Sequence, residues 1–110
     1  MKDTTTIGLN AESIACEYLQ NLGYKIIDRN VRAKLSEIDI IATKDGVYRF
    51  VEVKSGVGFD PVYNFTPQKL TKILRGVNLY IASKKIDAPY SIDLVVVRDG
   101  ECELYENVTF

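Results

Sequence analysis

Asp39, Glu52 and Lys54 are charged side chains set in runs that otherwise have the composition of buried strands, Ile38-Asp39-Ile40-Ile41-Ala42 and Phe50-Val51-Glu52-Val53-Lys54. Ile, Val, Phe and Tyr suit a pleated surface, and Asp45-Gly46 between the runs supplies positive-φ turn positions. Residues 36–42 and 48–54 are therefore predicted to pair as a hairpin across residues 43–47. Alternate strand side chains point to opposite faces, which puts Glu52 and Lys54 on one face and Val51 and Val53 on the other. By the same rule Glu37, Asp39 and Ile41 share a face, and if that face also shows Glu52, Asp39 meets it across the hairpin. Two carboxylates and an ammonium would then surround one point. Carboxylate oxygens with a backbone carbonyl suit Mg²⁺ or Mn²⁺, and a lysine beside such an ion can steady an attacking hydroxide or the charge of a phosphorane. The competing reading is a weak Glu–Lys ion pair on an exposed strand face.

Holding such a cluster requires a sheet and something to cover it. Ile7, Ala11, Ile14, Ala15, Tyr18, Leu19 and Leu22 recur at helical spacing, with Thr6 as the expected N-cap and Gly23 as the stop. Glu12 lies at the edge of that stripe, where it is either a solvated helix acid or leans toward a neighbouring sheet. Residues 24–29 read as a first strand and residues 30–35, with Arg32 and Lys34, as a basic connection into the hairpin. Residues 55–65 hold glycines, a proline and three aromatics without a period, and read as a loop beside Lys54. Thr66-Pro67 is an N-cap followed by a first-turn proline. Leu70, Ile73, Leu74, Val77, Tyr80 and Ile81 then form a buried stripe, leaving Lys69, Lys72 and Arg75 on the outer arc. Gln68 and Lys69 fall in the first turn, where free N–H groups favour anions. Residues 90–97 are apolar on both faces, as in a covered central strand; Asp93 within them is read as a hydrogen-bonded core acid, with an auxiliary place near the site as the alternative. Arg98-Asp99-Gly100 turns into an acidic edge strand, Glu101-Cys102-Glu103-Leu104-Tyr105. The order αβββαββ, with one apolar stripe per helix, predicts an α/β fold: a central mixed sheet of about five strands flanked by helices.

Composition narrows the chemistry. At 110 residues, 46% apolar and 26% charged, the chain is expected to form a single domain spanning residues 1–110. No apolar run approaches the ~20 residues of a membrane span, and the first residues lack a signal-peptide core, so the cytoplasm is the expected location. The chain contains no histidine, which removes imidazole bases, His-dependent nucleophile triads and imidazole metal ligands. Cys16 and Cys102 have no zinc-site spacing. The net charge is −1, so the molecule as a whole exerts no pull on nucleic acid, yet its middle is basic and its tail acidic.

An acid on the first helix, then Asp, a turn and Glu-x-Lys on the next strand is the layout of the PD-(D/E)xK nuclease superfamily. More closely, the chain resembles the YraN-like family of small bacterial endonuclease-like proteins, related to archaeal Holliday-junction resolvases. The likeness runs through Gly8 to Glu12 with Ala15, Gly23-Tyr24, Asn30-x-Arg32, Glu37-Ile38-Asp39-Ile40-Ile41-Ala42, Phe50-Val51-Glu52-Val53-Lys54, Gln68-Lys69 and Ile92-Asp93-Leu94-Val95. The resemblance implies a restriction-endonuclease-like core that hydrolyses phosphodiester bonds in DNA with Mg²⁺ or Mn²⁺, and leaves open whether the DNA is branched or structured. It makes Asp39 and Glu52 metal ligands, Lys54 the catalytic lysine and Glu12 an accessory acid; the Val53 carbonyl is the expected third metal donor. Gln68, Lys69, Lys72, Arg75 and Arg32 are the candidate DNA contacts. DNA is the expected partner, no membrane is involved, and a homodimer is left open. Two positions depart from the family: Ser36 stands where a glycine is usual, and Gly56 where a basic residue usually follows the lysine. The alternative is a nucleic-acid-binding module on a nuclease fold without useful turnover, motivated by the near-neutral charge and by Gly56. A protein-interaction domain using the acidic edge strand has the least support.

Overall fold

The computed structural model describes residues 4–33, 36–56 and 65–109. Its elements are α1 (Thr4–Asn21), β1 (Lys25–Ala33), β2 (Ser36–Lys44), β3 (Val47–Gly56), α2 (Pro67–Lys84), β4 (Tyr90–Arg98) and β5 (Glu101–Tyr105). The strands form one mixed sheet in the order β1-β2-β3-β4-β5. β3 and β4 run parallel because the connection through α2 returns the chain to the same end; the other neighbours are antiparallel. The two tightest turns share one chemistry, since Asp45-Gly46 and Asp99-Gly100 both take positive φ at both positions.

Each helix covers one face. Ala11, Ala15, Cys16 and Leu19 of α1 pack with Ile40, Ala42, Val51 and Val95, whereas Leu70, Ile73, Val77 and Tyr80 of α2 pack with Ile38, Ile41, Phe50 and Ile92. β4 is buried on both sides because it lies between the two layers. The α1 helix ends where Gly23 turns left-handed: its amide donates to the Gln20 carbonyl and that of Tyr24 to the Leu19 carbonyl, each at 3.0 Å. On α2, Thr66 caps the N-terminus, its hydroxyl accepting from the Lys69 amide at 3.3 Å.

Four expectations need correction. The first helix begins at Thr4, so Thr6 lies inside it instead of capping it; an apolar pattern starting at Ile7 does not mark a boundary set by polar residues. Leu22 follows the last helical residue and is 42% exposed, outside the buried stripe. Residues 30–33 are strand, because β1 continues to pair with β2 as far as Ala33 opposite Ser36, and an edge strand tolerates their polar side chains. Of the proposed loop, Ser55 and Gly56 belong to β3 and Phe65 packs against the α2-side core, while residues 57–64, like Lys34, lie outside the described residues.

Asp93 is the core acid that the strand pattern pointed to. It is fully buried, and it accepts from the Tyr24 hydroxyl at 3.1 Å, the Ser91 hydroxyl at 2.9 Å and the Asn107 amide at 3.0 Å, with an Arg49 nitrogen 3.9 Å away. Burial and the neighbouring Asp93 charge push the Tyr24 phenol far above its ordinary value.

Candidate active site

The cluster forms where β2 and β3 part. Their pairing runs from the turn to Ile40 opposite Val51 and goes no further, and beyond it the Asp39 carboxylate takes the Val53 amide at 2.8 Å. A side chain thus satisfies an N–H that a neighbouring backbone carbonyl would otherwise bond. Strand alternation also slips here: Ile38 and Ile41 both face α2, and Ile40 and Ala42 both face α1. Glu37, Asp39 and Ile41 therefore do not share one face as simple alternation required. In β1, the residue lying between the partners of Ile38 and Ile40 is Asn30, which is left-handed at φ 52°.

Asp39 nonetheless meets Glu52, through this break and not through regular register. Lys54 Nζ lies 3.2 Å from a Glu52 oxygen, with side chains only 22% and 13% exposed. That is not the solvated pair of the competing reading. Burial, and then the Glu52 charge, push Asp39 to about 7 against the pull of the Val53 amide and Lys54. Glu52 is raised too, by burial, with Lys54 opposing. Glu12 on α1 is held above its ordinary value by burial and by Asp39, and a hydrogen bond from Asn30 and the charge of Arg29 work the other way. Its Oε2 is buried with no hydrogen-bond partner among the described residues. Three acids from three elements thus feel one another's charge.

The basic candidates divide. Lys69 and Lys72 line a cavity of about 140 Å³ together with Glu52, Lys54 and Ser36. Arg75 and Gln68 are exposed on α2 and do not line that cavity. Arg32 is exposed on the edge strand β1, directly opposite Glu37. Sequence reasoning named Asn30, Ser36 and Glu37 but gave none of them a place at the site. An asparagine inside a strand-like run was a usable signal for Asn30, since Asn tolerates positive φ; no local signal marks the other two.

A hard divalent cation fits the donors present. The carboxyls of Asp39 and Glu52 are crowded enough to resist ionisation together, and Glu12 offers an orphaned oxygen, all oxygen donors of the kind Mg²⁺ and Mn²⁺ prefer. Among the described residues no set of three or more His, Cys, Asp or Glu side chains is gathered closely enough to form a metal site of its own. The two carboxylates with the Val53 carbonyl would leave remaining positions to water, which suits Mg²⁺.

The chain matches the uncharacterised protein family UPF0102 over residues 11–97. It is 53% identical to a UPF0102 protein of Wolinella succinogenes, over 93% of this chain and 94% of that one. It is 46% identical to a UPF0102 protein of Helicobacter hepaticus, over 93% of each chain, and 48% identical to one from Helicobacter pylori strain HPAG1, over 94% of this chain and 90% of that one. The chain belongs to the UPF0102 family, the YraN-like proteins. Among the described residues, no helix is long and apolar enough to cross a membrane.

Proposed function

We propose that this protein is a metal-dependent DNA endonuclease with a restriction-endonuclease-like core. One observation carries the reading: Asp39, Glu52 and Lys54 converge in a half-buried break between β2 and β3, with Glu12 leaning in from α1. Asp39, Glu52 and the Val53 carbonyl would hold Mg²⁺ or Mn²⁺. When bound, the ion supplies positive charge at the phosphate and lowers the pKa of water. The Val53 amide fixes the Asp39 carboxylate beside Glu52. Lys54 presents a positive charge where negative charge grows on phosphorus, or orients the attacking water; Glu52 holds that ammonium in place. Glu12, with its carboxyl raised, is a candidate to manage a proton at the site's edge. Lys69 and Lys72 carry the strand's phosphates past this point.

The test is incubation of purified protein with branched, flap, nicked and single-stranded DNA under Mg²⁺ or Mn²⁺. Wild type should cut at least one form. Lys54→Ala should keep its fold and still shift DNA in a gel, yet lose cleavage by about a hundredfold or more. The net charge of −1 and the missing base at Gly56 favour the second reading, a binding module without turnover. That reading replaces the first if wild type binds DNA and cuts no form under either metal.

A further inference from the structure

We propose that the cavity between β3 and the first turns of α2 seats a single phosphoryl group, held by the ammoniums of Lys54, Lys69 and Lys72 and by the Ser36 hydroxyl as a neutral donor. The proposal deepens the nuclease reading and takes its substrate class from it. At about 140 Å³ the cavity is too small for a nucleoside, being well below the ~300 Å³ at which ligand pockets begin, but has room for a phosphate and a water or two. Its charges favour an anion. Glu52 is engaged by Lys54 at 3.2 Å, while among the described residues Lys69 and Lys72 form no ion pair; Glu37 is the opposing acid at the rim. Lys69 and Lys72 are three apart on α2 and so share a helix face.

Ser36 supplies the independent observation. Its Oγ is buried and has no hydrogen-bond partner among the described residues, although its residue lines this cavity. It sits hard against α2, since a Cβ built on Gly76 would come within 2.6 Å of it. Native structures rarely leave a buried hydroxyl unpaired. A phosphoryl oxygen in the cavity is the acceptor that this hydroxyl lacks, reached by rotation about one side-chain bond. The group seated could be an internal phosphodiester of a strand or a terminal phosphate.

The experiment titrates the full chain with inorganic phosphate, followed by amide NMR, and measures anisotropy with a DNA duplex carrying 5′-hydroxyl or 5′-phosphate ends. Saturable shifts should centre on Ser36, Lys54, Lys69 and Lys72. Lys72→Ala should weaken phosphate about tenfold, because it removes a charged donor, and Ser36→Ala about threefold, because it removes a neutral one. Lys84→Ala, in the last turn of the same helix, should leave it unchanged. On the duplex, Lys72→Ala should flatten the salt dependence by ~0.9 log units and Ser36→Ala should leave the slope alone. Equal binding of the two duplexes assigns the seat to an internal phosphodiester, and tighter binding of the 5′-phosphate duplex assigns it to a terminus. Shifts scattered over surface lysines, or Lys84→Ala weakening phosphate as much as Lys72→Ala, would overturn the seat. The two readings separate cleanly. Phosphate that binds here while no DNA form is cut refutes the nuclease alone; cleavage that survives Lys72→Ala and Ser36→Ala without competition from phosphate refutes the seat alone.

Discussion

Removing the Asp39 charge should stabilise the metal-free protein while abolishing its use. The carboxyl moves from an ordinary 3.8 to about 7 because burial and the Glu52 charge disfavour its ionised form. Between those values the folded state keeps a proton that the unfolded chain has released. Stability therefore falls as pH rises through that window, and the full cost is present above about pH 7. A displacement of this size corresponds to about 4 kcal/mol at most, and water reaching the half-buried pair should bring it nearer 2 kcal/mol. Asp39→Asn removes the charge but keeps an oxygen for the Val53 amide. In urea denaturation with a chelator present, Asp39→Asn should exceed wild type by about 2 kcal/mol at pH 8. The gap should close as the pH approaches 4. Saturating Mn²⁺ should stabilise wild type and leave the variant unmoved. A variant less stable than wild type at pH 8, or a gap that persists on acidification, would refute the account of Asp39 as a strained carboxylate.

Other perturbations test the scaffold and the substrate path. Asp93→Ala strips an acceptor from Tyr24, Ser91 and Asn107 and leaves Arg49 without its acid, so chemical denaturation should show a drop of about 3–5 kcal/mol. Gly76→Ala drives a methyl into Ser36 and should cost about 1–3 kcal/mol; because Ser36→Gly removes both clashing atoms, the double variant should recover most of it. Replacing Lys69 and Lys72 together by alanine should flatten the salt dependence of DNA binding by ~0.9 log units for each phosphate no longer neutralised, as read by anisotropy across a salt series.

Much of the scaffold follows from local chemistry. Asp45-Gly46 defines the hairpin because few residues accept positive φ, and Thr66-Pro67 defines a helix start because one caps and the other lacks the amide a first turn cannot use. Apolar spacing 3.6 residues apart finds the faces of both helices, and the doubly apolar run at residues 90–97 finds the covered strand. Residue types alone made Asp39, Glu52 and Lys54 candidates, since charges in strand-like runs need a partner or a purpose. Their meeting was decided elsewhere. Alternation along β2 puts Asp39 with Ile41, but the chain slips at Asp39 because its carboxylate captures the Val53 amide and ends the ladder at Ile40. Nothing in the residues adjoining Asp39 encodes a bond to a strand fourteen positions away. The same holds for the cavity. The sequence groups Lys69, Lys72 and Arg75 as candidate DNA contacts on one basic arc, and only laying α2 on the sheet brings Lys69 and Lys72, without Arg75, to the cavity; how near α2 lies depends on Gly76 meeting Ser36, forty positions earlier in the chain. Local sequence determines backbone conformation through sterics and hydrogen bonds between near neighbours, whereas the distance between distant charges is set by packing, which only the folded chain possesses.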